Sequence, residues 1–164
     1  MHFTDEDWQD FENLVFSILF DILKIQYKDI IGFQTQARKD GGIDGRFYLS
    51  TSNEPLLDDK KSMVYEVKLR NNKRKDLPLS DFSKSIIIAI NMAVNALTIA
   101  TNLDFSKNTN QLLSTFSDKS GLIINQLSGN EIRNWLDLHT EYVKDFENKE
   151  LLNFIRNCVI DNHI

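Results

Sequence analysis

The chain is predicted to adopt an α/β fold, a mixed β-sheet flanked by α-helices. Three observations predict this. Residues 63–70, MVYEVKLR, alternate apolar and polar residues with the period of a strand. Leu97–Thr101 and Leu122–Asn125 are short apolar runs, as found in the buried strands of parallel or mixed sheets. Stretches with helical spacing stand before and between these runs, giving the order αβββαβαβα. With 164 residues, 41% of them hydrophobic, the chain is long enough to bury a proper core.

The first helix is expected to start at Thr4, with Asp7 three residues on as the reciprocal cap. It runs to about Ile25, and Trp8, Phe11, Val15, Ile18, Leu19 and Ile22 form its apolar face. Glu12 borders that face, either as an edge residue or pointing inward. Ile30–Lys39 reads as the first strand, and residues 45–51 and 62–70 as the next two. Pro78 and the following Leu79-Ser80-Asp81 announce a helix to about Val94. Its run Ile86–Ile90 is apolar all round, so a strand over Ser85–Ile90 is the alternative. Helices are expected at Phe105–Ser117 and Asn130–Leu138, the second led in by Ser128-Gly129. Residues 1–138 form the expected core. Residues 139–164 are a helical extension in which Leu151, Leu152, Phe154, Ile155, Val159 and Ile160 fall at amphipathic spacing. That face could pack on its own domain, mediate dimerisation or lead into a further domain.

Asp44, Glu66 and Lys68 carry the chemistry. Side chains two apart on a strand share a face, so Glu66 and Lys68 lie together beside Val64. Met63, Tyr65, Val67 and Leu69 take the other face. A hairpin through the polar loop 51–62 would bring Asp44 alongside Glu66. Mg²⁺ takes hard oxygen ligands and is often held by one or two carboxylates with water and phosphate oxygens. Such an ion lowers the pKa of bound water and offsets charge developing on a phosphate. A lysine beside it can stabilise that charge or position the water. Gly41, Gly42 and Gly45 would let the backbone turn around Asp44. Taken singly, Glu66/Lys68 also reads as an exposed ion pair and GGIDG as a generic turn. Gln36 leads into the turn and reads as a site-lining or a plain strand residue.

Together these residues resemble the PD-(D/E)xK nuclease superfamily, and within it the Mrr-like restriction endonuclease domains. The matching residues are Phe11-Glu12 with Leu14, Lys39-Asp40-Gly41-Gly42-Ile43-Asp44-Gly45, and Glu66-Val67-Lys68. Ala96–Asn102 followed by Phe105-Ser106 resembles the family's late strand and helix start. The similarity spans roughly residues 8–138. Ile43 stands where other branches carry proline, and the late helix lacks the expected alanines. The resemblance implies a restriction-endonuclease-like fold and a Mg²⁺-dependent DNA endonuclease in defence against foreign DNA, with Mn²⁺ able to substitute. It implies Asp44 and Glu66 as metal ligands, Lys68 as transition-state stabiliser or water activator, and Glu12 as a helix-borne acid reaching the metal site. An RNase or nickase would use the same residues. A non-catalytic interaction module on a nuclease fold is the reading from another class.

The net charge of −5 is unusual for a stand-alone DNA-binding domain. The basic charge is instead local: Arg70, Lys73, Arg74 and Lys75 follow Lys68, and Lys60 and Lys61 precede the same strand. These are candidates for phosphate contact with double-stranded DNA or a solvated loop. The acidic balance suggests weak binding alone, strengthened by homo-oligomerisation or by another domain; the resemblance implies fusion to a sensor or NTPase module. No GxxxxGK[ST] occurs in the chain. A single cysteine, Cys158, fits a reducing cytoplasm, and the scattered His2, His139 and His163 show no zinc spacing. The acidic N-terminus does not read as a signal peptide, and no long apolar span points to a membrane.

Overall fold

Thr4 opens the first helix with the reciprocal cap expected of it. The Asp7 amide donates to Thr4 Oγ1 at 3.1 Å, and the Thr4 amide donates to Asp7 Oδ2 at 2.9 Å. The computed structural model describes residues 2–35, 42–50, 62–71 and 77–158. Helix α1, Asp5–Gln26, buries Phe11, Leu14, Val15, Ile18 and Leu19, and the 3.6-residue period places them on one stripe.

Five strands follow: β1 Asp29–Gln34, β2 Gly45–Ser50, β3 Ser62–Lys68, β4 Ala96–Thr101 and β5 Ile123–Leu127. They form one mixed sheet in sequence order. β1–β2 and β2–β3 are antiparallel, while β3–β4 and β4–β5 are parallel. Helices α2 Ser83–Asn91, α3 Lys107–Ser120, α4 Gly129–Leu138, α5 Thr140–Asp145 and α6 Lys149–Asn157 complete the described chain.

The alternation of β3 divides the core in two. Met63, Tyr65, Val67 and Leu69 join Phe47, Leu49 and the buried faces of α1, α4 and α6. Val64 joins Leu97 and Ile99 beneath Ile86 and Ala89 of α2 and Leu113 of α3. Both faces of β3 and β4 are therefore covered, as the apolar runs required.

Several boundaries differ from expectation. β1 ends at Gln34, with Thr35 just beyond it; residues 36–39 of the expected strand, including Gln36, lie outside the described residues. The helix expected from Leu79 to Val94 is split. Leu79–Asp81 is a single 3-10 turn, Phe82 intervenes, and α2 starts at Ser83. No strand forms over Ser85–Ile90. The all-apolar run is resolved by geometry, with Ile86 and Ala89 facing the sheet and Ile87 and Ile90 facing solvent. α3 begins two residues later than expected. Ser106 caps it by accepting from the Thr109 amide at 3.1 Å, and Gly121 ends it in the left-handed region at φ 74°.

The extension after residue 138 packs on the same core. Leu151, Leu152 and Ile155 of α6 are buried there. Asn148 Nδ2 donates to Asp7 and Asp10 of α1 at 2.9 and 2.8 Å, while its Oδ1 accepts from the Leu151 amide at 3.1 Å. Leu151, Leu152 and Ile155 of the apolar stripe are thus covered within the chain itself, while Val159 and Ile160 lie outside the described residues. No helix among the described residues is long and apolar enough to cross a membrane.

Candidate active site

Asp44 is placed by backbone pairing on both sides. Its amide donates to Tyr65 O at 2.8 Å, and its carbonyl accepts from the Thr35 amide at 2.9 Å. The regular β2–β3 ladder ends at Gly45 opposite Tyr65. One step beyond, the Asp44 carboxylate takes over: Oδ2 accepts from the Val67 amide at 2.6 Å. A short bond from N–H to carboxylate fixes the side chain against the strand that carries Glu66 and Lys68. Among the described residues Asp44 Oδ1 has no hydrogen-bond partner.

Glu66 and Lys68 share a face of β3, as the alternation required, and the Lys68 Nζ lies 2.6 Å from Glu66 Oε1. Glu66 is only 2% exposed, and its second oxygen, Oε2, is buried without a partner among the described residues. A buried carboxylate oxygen left unpaired is costly. Burial pushes the Glu66 carboxyl up to about 7; Lys68 and Arg70 pull it down and Asp44 adds to the rise. Burial also pushes Asp44 up to about 6, opposed by the Val67 amide and by Lys68. The two carboxylates therefore act on each other electrostatically, as neighbours do.

Two groups approach Asp44 from the α1 side of the sheet. Glu12 is 5% exposed, and burial followed by the Asp44 charge raises it to about 7. It is an inward residue of α1. The Tyr65 hydroxyl is buried without a partner among the described residues. Burial, then Asp44 and Glu12, raises its phenol. Among the described residues no group of three or more His, Cys, Asp or Glu is placed to hold one metal ion, so Glu12 does not close a three-carboxylate cage with Asp44 and Glu66.

The glycines work differently from expectation. A Cβ on Gly45 would run into the ring and hydroxyl of Tyr65, while one on Gly42 would meet nothing. Gly45 makes room for a tyrosine, and among the described glycines only Gly121 has positive φ. Gly41 lies outside the described residues.

Arg70 is engaged within the fold. Its Nε lies 3.1 Å from Asp81 Oδ2, and its guanidinium sits 6.0 Å from the centre of the Trp8 ring. That pairing competes with the phosphate contact expected of it. Lys60, Lys61, Lys73, Arg74 and Lys75 lie outside the described residues, as do Lys39 and Asp40.

Asn102 was not singled out by sequence reasoning and proves to be a keystone. Fully buried, it accepts from the Arg70 amide at 2.7 Å and donates to the Arg70 carbonyl at 2.8 Å. Its side chain thereby prolongs the β3–β4 ladder just past Lys68. The available signal was a polar residue closing an apolar strand. Comparison of this chain with protein-family models, with curated proteins and with solved structures found no match.

Proposed function

We propose that the chain is a Mg²⁺-dependent DNA endonuclease of the PD-(D/E)xK type, acting in the cytoplasm against foreign double-stranded DNA. The observation that carries this reading is the junction at the open end of the β2–β3 pair. There Asp44 is fixed beside a buried Glu66 whose Oε2 lacks a partner, with Lys68 next to it. Two carboxylates with uncommitted oxygens fit an ion that keeps waters and takes its other ligands from phosphate. Asp44 and Glu66 would hold it.

Bound there, the ion would supply Lewis acidity toward the phosphate and a water of lowered pKa. The remaining chemistry belongs to the chain. The Val67 amide holds Asp44 Oδ2, which leaves Oδ1 to face a ligand. Lys68, paired with Glu66, carries the positive charge that a pentacoordinate phosphate oxygen needs nearby. Its ammonium can shift toward that oxygen as the carboxylate is neutralised. Glu12, on α1, adds negative charge near Asp44 and is suited to receiving a proton from water.

The test is incubation of purified protein with plasmid DNA and Mg²⁺ or Mn²⁺, against EDTA and an Asp44→Ala variant. Nicking or linearisation that needs both the metal and Asp44 is expected. A preparation free of cutting under every metal condition would overturn the reading. The lack of a third convergent ligand among the described residues favours a second reading, a non-catalytic nucleic-acid or protein-interaction module. That module would retain DNA without cutting it. Association into a homo-oligomer or fusion to a sensor module would supply the avidity that a net charge of −5 withholds.

A further inference from the structure

Among the described residues, α2 and α3 roof the face of the sheet that carries Glu66 and Lys68 over its parallel half. Its antiparallel half bears a different surface. Phe33 pairs in register with Arg46, and Ile31 with Tyr48, so these four share one side of β1 and β2. The opposite side faces α1: a Cβ on Gly32 would meet Phe16 and Phe47, and Phe47 is buried. Strand alternation puts Arg46 and Tyr48 on the face of Asp44, two and four residues along β2. Phe33 is 57% exposed and Ile31 37%.

These side chains are ordered against each other. Phe33 meets Tyr48 edge-on, with ring centres 6.1 Å apart and planes at 80°. The Arg46 guanidinium lies 4.8 Å from the Tyr48 ring centre and donates to Ser62 Oγ at 3.0 Å. Tyr48 is thus held between a ring and a cation, and it props up a phenylalanine that is more than half exposed. A large aromatic ring left in water on an edge strand is unfavourable for the free protein. The surface is continuous with the candidate site: from Asp44 to Tyr48 is roughly 13 Å along the strand.

We propose that this β1–β2 face is a stacking platform for unpaired DNA bases flanking the phosphate held at Asp44 and Glu66. The proposal rests on the nuclease reading for its register and narrows the substrate to DNA that is single-stranded or locally opened beside the cut. Bases in an intact duplex are already stacked on their neighbours, whereas an unpaired base has a free π-face to lay on an aromatic ring. Phe33 supplies that ring. A second copy of this chain pairing through the β1 edge is the competing occupant.

Metal-free binding by the full chain tests the platform apart from cleavage. The probe is an oligodeoxynucleotide carrying 2-aminopurine, offered as a single strand and as a blunt duplex in EDTA. Anisotropy reads binding, and 2-aminopurine quenching reads stacking. Expected is quenching with the single strand, and affinity reduced at least about five-fold by Phe33→Ala. Phe33→Trp should restore it, and the salt slope should not change because phenylalanine carries no charge. Ile87→Ala, which removes an equally exposed apolar residue from α2, should bind as wild type. Unchanged affinity and quenching in Phe33→Ala would overturn the platform. So would a dimer seen in sedimentation that Phe33→Ala dissolves. Stacking without any Mg²⁺-dependent cutting would refute the nuclease reading alone. Normal cutting, with no single-strand preference and no effect of Phe33→Ala, would refute the platform alone.

Discussion

Replacing Glu12 with glutamine should stabilise the metal-free protein at pH 8 and change it little at pH 5. Glu12 is 5% exposed on α1, and burial, then the Asp44 charge, raises it to about 7 from an ordinary 4.5. A carboxyl raised on folding favours the folded state fully below its unfolded pKa, and that contribution is lost as pH rises through the folded value. Between pH 4.5 and 7 the unfolded chain ionises freely while the folded one resists. At pH 8 both are ionised, and the folded state bears a cost on the order of 3 kcal/mol, at about 1.4 kcal/mol per pH unit. At pH 5 the same linkage leaves under about 1 kcal/mol. Glutamine keeps the shape and removes the charge, so Glu12→Gln should gain most of that difference. Asp7 and Asp21 are held below their ordinary range by hydrogen bonds, so their contribution is lost only in acid and does not vary between pH 5 and 8. Urea unfolding in EDTA at the two pH values measures the effect. At pH 8 a gain of about 2–4 °C in Tm per kcal/mol would accompany it. Equal stability changes at both pH values would refute the argument, because a neutral, protonated Glu12 has no charge for glutamine to remove.

Divalent cations should raise Tm more at pH 8 than at pH 5.5, because ligand carboxylates must shed protons to bind, and Asp44→Asn should remove the shift in thermal melts. Lys68→Ala should abolish plasmid cleavage while the protein still melts cooperatively; cleavage at the wild-type rate would end the proposed mechanism. Gly45→Ala should cost about 1–3 kcal/mol in denaturant titrations through collision with the Tyr65 ring, and an unchanged midpoint would contradict the packing described. Leu151→Ala or Ile155→Ala should cost about 2–5 kcal/mol. Sedimentation should give the same mass for these variants and wild type, since both residues are buried within one chain.

The strand bearing Glu66 and Lys68 was legible in sequence because it buries one wholly apolar face against α1 and α4, which enforces a period of two. The cap at Thr4 was legible because it is local. Asp44 could be placed only by assuming a hairpin. Its partner, the Val67 amide, leaves no trace in side-chain pattern, since any residue at 67 supplies that N–H. Glu12 stood open between edge and interior because helical spacing gives its angle but not the depth of its neighbours. Gly45 read as a turn residue since a glycine beside an aspartate usually is one; its actual reason, the Tyr65 ring, lies on another strand. The break at Phe82 and the seating of α6 are likewise products of packing across distant segments. Tyr65 read as apolar core, and its hydroxyl acquires meaning only from Asp44 and Glu12 converging on it.

The fastening of Asn148 to Asp7 and Asp10 joins the latest described helix to the earliest. The hairpins β1–β2 and β2–β3 close over short separations and can form while synthesis continues, but α1 cannot be sheathed until residues 148–155 have emerged. Glu12 rides on that helix. During synthesis, then, β1, β2 and β3 emerge before the helix beside them is settled. A chain that has emerged only through β3 carries Asp44, Glu66 and Lys68 but lacks the α6 packing that seats the helix bearing Glu12.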